Sequence, residues 1–254
     1  MNKHYFWLVL LAAVLMAPGA YAQVDIEAEP LFSADSPSGA DDDLAVVFKG
    51  VSSATGFDSE GALDIVEGPI TMECWIKPEA FNDFNGLINV GFSYKLGVNF
   101  NSDINNLVFT FYGVVDIFSG VNIEADSTWK HVASVWEPGV GVTFYVDGEE
   151  AAFVEQTGAP RELQNSNITV GAEINGVVPF VGAMDRVRIH NAVLTADELD
   201  SVADAPKGPL DSTLVHYGFD TGSFPVPSLG SAGIDLLANN AAGVSTADSW
   251  EIYN

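Results

Sequence analysis

The sequence predicts an all-β protein, folded as a two-sheet antiparallel jelly-roll sandwich with one short helix near residues 195–202. Three observations carry this expectation. Short apolar or alternating segments recur along the chain from Leu44 onward, the period-two pattern of half-buried strands. Asn, Asp and Gly clusters punctuate them at the places where strands must turn. Helical periodicity is nearly absent, which leaves a sandwich or barrel as the way to bury so many strands.

The N-terminus is set apart from that pattern. Lys3 and His4 precede an apolar run from Phe6 to Met16, Pro18 and Gly19 break it, and Ala20-Tyr21-Ala22 follows. This is the layout of a secretory signal peptide cleaved between Ala22 and Gln23. The run is too short for a bilayer, which needs about 20 residues. The expected location is therefore secreted, either extracellular or periplasmic, without membrane insertion. Residues 23–43 read as an acidic arm, with Asp25, Glu27, Glu29 and Asp41-Asp42-Asp43 among prolines and glycine. Residues 44–205 read as the jelly roll and 206–254 as a C-terminal segment.

The formal charge is −26, from 35 acidic and 9 basic residues. Nucleic acids and anionic membranes would be repelled by such a chain. Cys74 is the only cysteine, so no internal disulfide staples the fold. It lies in an alternating strand and is expected to be buried and inert.

The elements follow in order. Leu44–Phe48 is a continuous apolar run. Ile70–Lys77 alternates, with Ile70, Met72, Cys74 and Ile76 on one face and Thr71, Glu73, Trp75 and Lys77 on the other. Strands are expected at 87–90, 94–100, 107–112, 129–136, 142–146, 150–154, 167–171 and 181–189. Asp147-Gly148 is a hairpin signal between two of them. Thr195-Ala-Asp-Glu198 is a capping box opening the single helix.

These pieces, in this order, carry a family resemblance. Ala45-Val-Val-Phe-Lys-Gly50, Ile70-Thr-Met-Glu-Cys-Trp-Ile-Lys-Pro78 and Trp129-Lys-His-Val-Ala133 are followed by Val142-Thr-Phe-Tyr-Val-Asp-Gly148 and Phe180-Val-Gly-Ala-Met-Asp-Arg-Val-Arg-Ile-His-Asn191. The chain resembles the laminin-G-like, concanavalin A-like jelly-roll domains of bacterial secreted proteins. The resemblance implies a structural Ca2+ ion held at positions matching Gly50 and Asp185. Leu214-Val-His-Tyr-Gly-Phe-Asp220 resembles the opening strand of the same family. Nothing similar precedes Leu44, so the segment is expected to complete the same sandwich in permuted order; a partial second domain is the rival.

Catalytic signatures are missing. Retaining glucanases of this fold carry carboxylates as Glu-x-Asp-x-x-Glu along one strand, and no such string occurs. His131, His190 and His216 form no metal-binding spacing, and packing is the expected role of His131. The chain is therefore expected to be no enzyme but a binding module for extracellular glycans or proteins. A glycoside hydrolase or lyase of the same fold, and a structural or adhesive subunit, stay open as alternatives. Phe81, Phe84, Tyr112, Phe118 and Trp136 are the candidate platforms, being aromatics in or near loops, with Asn82, Asp83, Asn85, Asn101, Asp103, Asn105 and Asn106 as hydrogen-bonding neighbours.

Overall fold

The computed structural model describes residues 31–38, 43–161, 167–203 and 210–240. The expected signal peptide, most of the expected acidic arm and residues 241–254 lie outside the described residues. The described chain is 15 strands, one α-helix and one 3-10 turn.

One sheet is built from β1 (Leu31–Ser33), β2 (Ala45–Lys49), β4 (Ile70–Ala80), β9 (Lys130–Glu137), β10 (Gly141–Val146), β11 (Glu149–Glu155), β13 (Val181–His190) and β14 (Thr213–Tyr217). Its order is β1-β2-β13-β4-β9-β10-β11, with β14 also paired to β13. The second sheet runs β15-β3-β12-β5-β6-β7-β8. Its members are β3 (Ser52–Gly56), β5 (Phe84–Val90), β6 (Tyr94–Asn101), β7 (Ile104–Phe111), β8 (Val115–Asn122), β12 (Ile168–Val170) and β15 (Leu236–Asn240). All pairings are antiparallel.

The core fills the space between the sheets. Ile70, Met72, Cys74 and Ile76 face it from β4, and Tyr94, Leu96 and Val98 from β6. Burial pushes the Cys74 thiol well up, so it stays protonated and inert. Trp136 lies in this core at 1% exposure, edge-on to Phe111 with ring centroids 5.0 Å apart. It is a packing residue and not a rim platform, because β9 extends through Glu137 and keeps Trp136 inside the sandwich.

The other face of β4 is covered as well. Helix α1 (Ala196–Ala203) lies over the first sheet, packing Leu194 and Leu199 against Ala133, Val135 and Tyr145. Its N-terminus is the capping box: Thr195 N donates to Glu198 Oε2 at 2.8 Å, and Glu198 N to Thr195 Oγ1 at 3.3 Å. Trp75 Nε1 donates to Ala203 O at 3.1 Å at the other end. Asp147 and Gly148 both take positive φ, 51° and 78°, the conformation that a two-residue hairpin between β10 and β11 requires.

Two terminal segments add strands. Residues 31–33, expected within a loose arm, form edge strand β1 on β2, helped by Phe32 against Phe224 at 5.3 Å. The C-terminal segment contributes to both sheets, β14 beside β13 and β15 beside β3. β14 and β2 share one edge of β13: Tyr217 pairs with Val187, and Val46 with Met184. Leu44 N donates to Asp220 Oδ1 at 3.1 Å where the two strands meet. Leu214, Val215, Tyr217, Phe219, Val226, Ile234 and Leu236 all enter the main core.

Candidate functional site: a groove on the seven-stranded sheet

The outward positions of β5–β8 form ladders across the sheet. One rung is Asn89, Lys95, Thr110 and Asp116, each the direct partner of the next. The middle rung is Gly86, Gly97, Val108 and Phe118, and a third is Phe84, Asn99, Asn106 and Asn122. An open antiparallel face usually places polar side chains in water. Here Asn89, Lys95, Asn99 and Thr110 are only 1–4% exposed. Lys95, Asn99 and Thr110 form the floor of a groove of about 760 Å³, within the size range of ligand sites.

Two loops raise the walls. The segment from Gly171 to Phe180 joins β12 to β13 and is closed at its base by Phe180 N donating to Gly171 O at 2.8 Å. It contains the 3-10 turn Ile174–Gly176 and presents Val177, 56% exposed. Gly86 makes this wall fit: a Cβ there would strike the Ala172 carbonyl and the Asn89 amide. The opposite wall is the β7–β8 turn. Tyr112 N donates to Ser93 O and Val114 N to Phe111 O, each at 2.9 Å, and Arg161 braces the turn through Gly113 O. Phe84 and Phe92 complete the rim, 54% and 47% exposed.

Glu173 pins the first wall to the floor. Its Oε1 lies 2.6 Å from Lys95 Nζ, and Tyr112 OH lies 2.8 Å from its Oε2. The same phenol reaches Asn89 Oδ1, and the Asn89 amide donates to Ala172 O. Burial and the Glu173 charge push the Tyr112 phenol far up, so it keeps its proton. Thr110 Oγ1 donates to Asp116 Oδ1 at 2.6 Å. Asn99 Oδ1 is buried without a hydrogen-bond partner, an arrangement that native interiors rarely tolerate.

Of the five expected platforms, the groove gathers Phe84 and Tyr112. Phe118 shares the outer face, half-buried on β8 away from the groove lining. Phe81 is partly buried against the core, 6.2 Å from Phe180. Trp136 is internal. Asn85 and Asn106 are structural: Asn85 bonds Asn82 O and Val98 O at 2.7 and 3.0 Å, and Asn106 Oδ1 accepts Gly120 N at 2.9 Å. Phe92, Lys95, Asn99 and Glu173 were not anticipated. The signal for Lys95 and Asn99 was present, since both alternate with Tyr94, Leu96 and Val98.

The structure sets apart the two residues expected to hold calcium. Val181 pairs with Lys49 and Met184 with Val46, so Gly50 and Asp185 lie at opposite ends of that pairing, about 15 Å apart along the strands. Gly50 N is bonded to Phe180 O at 3.1 Å. Asp185 instead shares a corner with Asp43 and Asp220, and Arg186 already supplies the positive charge there. Its guanidinium donates to Asp43 Oδ2 at 2.6 Å and to Ala203 O at 3.0 Å, with Nε 3.8 Å from Asp185 Oδ2. Asp185 Oδ2 is buried there without a hydrogen-bond partner; a calcium ion would need 6–8 oxygens at about 2.3–2.6 Å. Among the described residues no group of three or more His, Cys, Asp or Glu side chains is placed to hold a metal.

The histidines lie on the other sheet. Glu73, His131, Arg188 and His190 form a cluster with exposures of 0–1%, in the sheet that does not carry the groove. Among the described residues no helix is long and apolar enough to cross a membrane.

Comparison with known proteins agrees with this architecture. No curated protein matches the chain. Domain 4 of AbnA, an extracellular family-43 arabinanase from Geobacillus stearothermophilus solved with arabinotriose, is similar with a TM-score of 0.55 and 18% identity, over 68% of this chain and 81% of that one. A putative carbohydrate-binding protein from Bacteroides ovatus is similar with a TM-score of 0.58 and 16% identity, over 76% of this chain and 59% of that one. At such identities the likeness is one of fold. The sequence profile of the Laminin_G_3 family covers residues 51–200, and the chain therefore belongs to the concanavalin A-like lectin/glucanase superfamily.

Proposed function

We propose that this chain is a secreted, non-catalytic glycan-binding module, and that the groove on the seven-stranded sheet is its binding face. The observation that carries the reading is a polar floor set between exposed apolar walls, with the Asn99 amide oxygen left unpartnered. A sugar matches both surfaces. Its C–H faces pack on Phe84 and Phe92, and its hydroxyls exchange hydrogen bonds with the floor. The floor spans five residues of β6 from Lys95 to Asn99, about 13 Å, which suits a short oligosaccharide better than one ring. Similarity to an arabinanase domain solved with arabinotriose and to a putative carbohydrate-binding protein supports the reading.

Of the two carboxylates of the groove, one is fully engaged. Glu173 is engaged at both oxygens, by Lys95 and Tyr112, and Asp116 accepts from Thr110. Hydrolysis by a carboxylate pair needs one member free to protonate the leaving oxygen and another facing the sugar. Glu173 instead builds the wall.

The test is a glycan array probed with the full chain and with a Phe84→Ala, Phe92→Ala double variant. Both side chains are about half exposed, so the variant keeps its fold. Binding by the wild type that falls at least tenfold in the variant is the expected result. Binding equal in both proteins would place the ligand elsewhere, and release of reducing ends from a bound glycan would make the protein an enzyme.

A further inference from the structure

We infer that the groove takes an uncharged, hydroxyl-rich glycan and rejects glycans bearing carboxylate or sulfate groups. The inference rests on the groove being the glycan-binding face, and it concerns which ligand that face accepts.

The positive groups near the groove are already committed. Lys95 Nζ is paired with Glu173 at 2.6 Å, and its side chain is 4% exposed. Arg161 donates to the Gly113 carbonyl, and its side chain is not among those lining the groove. The negative side is not balanced in the same way. Asp116 lines the groove and is exposed; its hydrogen bond comes from a neutral hydroxyl, and no cation pairs with it among the described residues. The side chains that line the groove therefore carry one net negative charge, Lys95 against Glu173 and Asp116, on a chain of net charge −26. An anionic ligand meets repulsion at both scales.

The hydrogen-bonding inventory points the same way. Thr110 has given its only hydroxyl proton to Asp116 and presents lone pairs. Asp116 is an exposed acceptor, and Asn99 Oδ1 is an acceptor that lacks a donor. Acceptors left without donors call for a ligand that donates. Sugar hydroxyls donate; ionised carboxylates and sulfates cannot. Bringing such a group against Asp116 would bury two like charges without a hydrogen bond between them, which a polar site penalises strongly.

The experiment measures affinity of the full chain by calorimetry for two sets of oligosaccharides. One set is neutral: gluco-, xylo-, arabino-, manno- and galacto-oligosaccharides. The other is anionic: oligogalacturonides, sialyllactose and sulfated galactans. Each is measured at low and high salt, and with Asp116→Asn. The expected result is a ligand in the neutral set, with anionic glycans at least tenfold weaker. That gap should narrow in Asp116→Asn and at high salt. An anionic glycan bound as tightly as any neutral one, and weakened by Phe84→Ala, would overturn the inference while leaving the groove as the binding face. No binding to either set would overturn the groove reading itself.

Discussion

Glu73 Oε2 lies 2.8 Å from His131 Nε2 in the covered face of the first sheet, and both residues are at most 1% exposed. The other oxygen lies 3.0 Å from His190 Nε2 and 3.4 Å from Arg188. Burial alone would raise this carboxyl. Hydrogen bonds from the two histidines, with the charges of His131 and Arg188, instead hold it far below the ordinary 4.5. A carboxyl lowered on folding stabilises above its unfolded value and loses that contribution as pH falls. Unfolding should therefore begin at acid pH below about 4.5. Glu73→Ala leaves Arg188 buried without its partner and should lower stability by about 3–5 kcal/mol, read as a fall in Tm at pH 7.

Asp185 and His216 shape the rest of the pH profile with opposite signs. Burial, with help from Asp43 and Asp220, lifts Asp185 from 3.8 to about 8 despite Arg186. Its stabilising effect is complete below 3.8 and is lost as pH rises through 8. Burial, then the Arg188 charge, depresses His216 from 6.5 to about 3. The neutral form stabilises above 6.5, and that contribution is lost as pH falls toward 3. Between about 4.5 and 6.5 the two slopes oppose each other, so Tm should be nearly flat; from 6.5 to 8 it should fall. Thermal melts across pH 3–9 check this. Asp185→Asn should remove the alkaline decline, and a decline that persists in that variant would assign it to another group.

Glu173 has a different role from these buried groups, because it joins two parts of one groove. Glu173→Gln keeps the hydrogen bond from Tyr112 but leaves the Lys95 ammonium buried without its counter-charge. The expected cost is about 3 kcal/mol of stability. Hydrogen exchange should also quicken in residues 173–178, whose Glu173 N–Val177 O bond then loses its anchor. Protection unchanged at those amides would contradict the pinning role.

The C-terminal segment should be indispensable. Tyr217 is fully buried and its hydroxyl donates to Ile234 O at 2.8 Å, while Val215 and Leu236 fill the core from opposite sheets. Burying each such side chain is worth about 1.5–3 kcal/mol, so together they rival the 5–15 kcal/mol of a whole domain. A chain ending before Leu210 should show no cooperative melt, and Tyr217→Ala should cost about 3–5 kcal/mol. A truncated chain melting like the full one would mean that the segment only leans on the sandwich.

Much of this architecture was legible because strands announce themselves by alternation. β4, β6, β7 and β10 carry core residues at every second position, and the Asp147-Gly148 turn and the Thr195 cap read directly. β3 did not: Ser52-Ser-Ala-Thr-Gly56 is small and polar yet fully buried, since β12 and β15 flank it. β8 was hidden by the irregular register between Asn106 and Val108. At the site, loop position was a poor guide. It found Phe84 and Tyr112 but also drew in Trp136, which a long β9 keeps inside. Lys95 and Asn99 sit mid-strand, where polar residues ordinarily mean a solvated face. Only the wall from Gly171 to Phe180 turns that face into a floor, and a contact between residues so distant in sequence leaves no local pattern.

The groove is tested most directly by mapping NMR shift changes while a glycan selected from the array is titrated into the isotope-labelled chain. The expected perturbations cluster at the amides of Phe84, Phe92, Gly113, Val114 and Val177 and at the Asn99 side chain, all around the groove. Perturbations centred instead on Leu44, Asp185 and Asp220, with the groove amides unmoved, would contradict the assignment and put recognition at the corner where β2 and β14 meet.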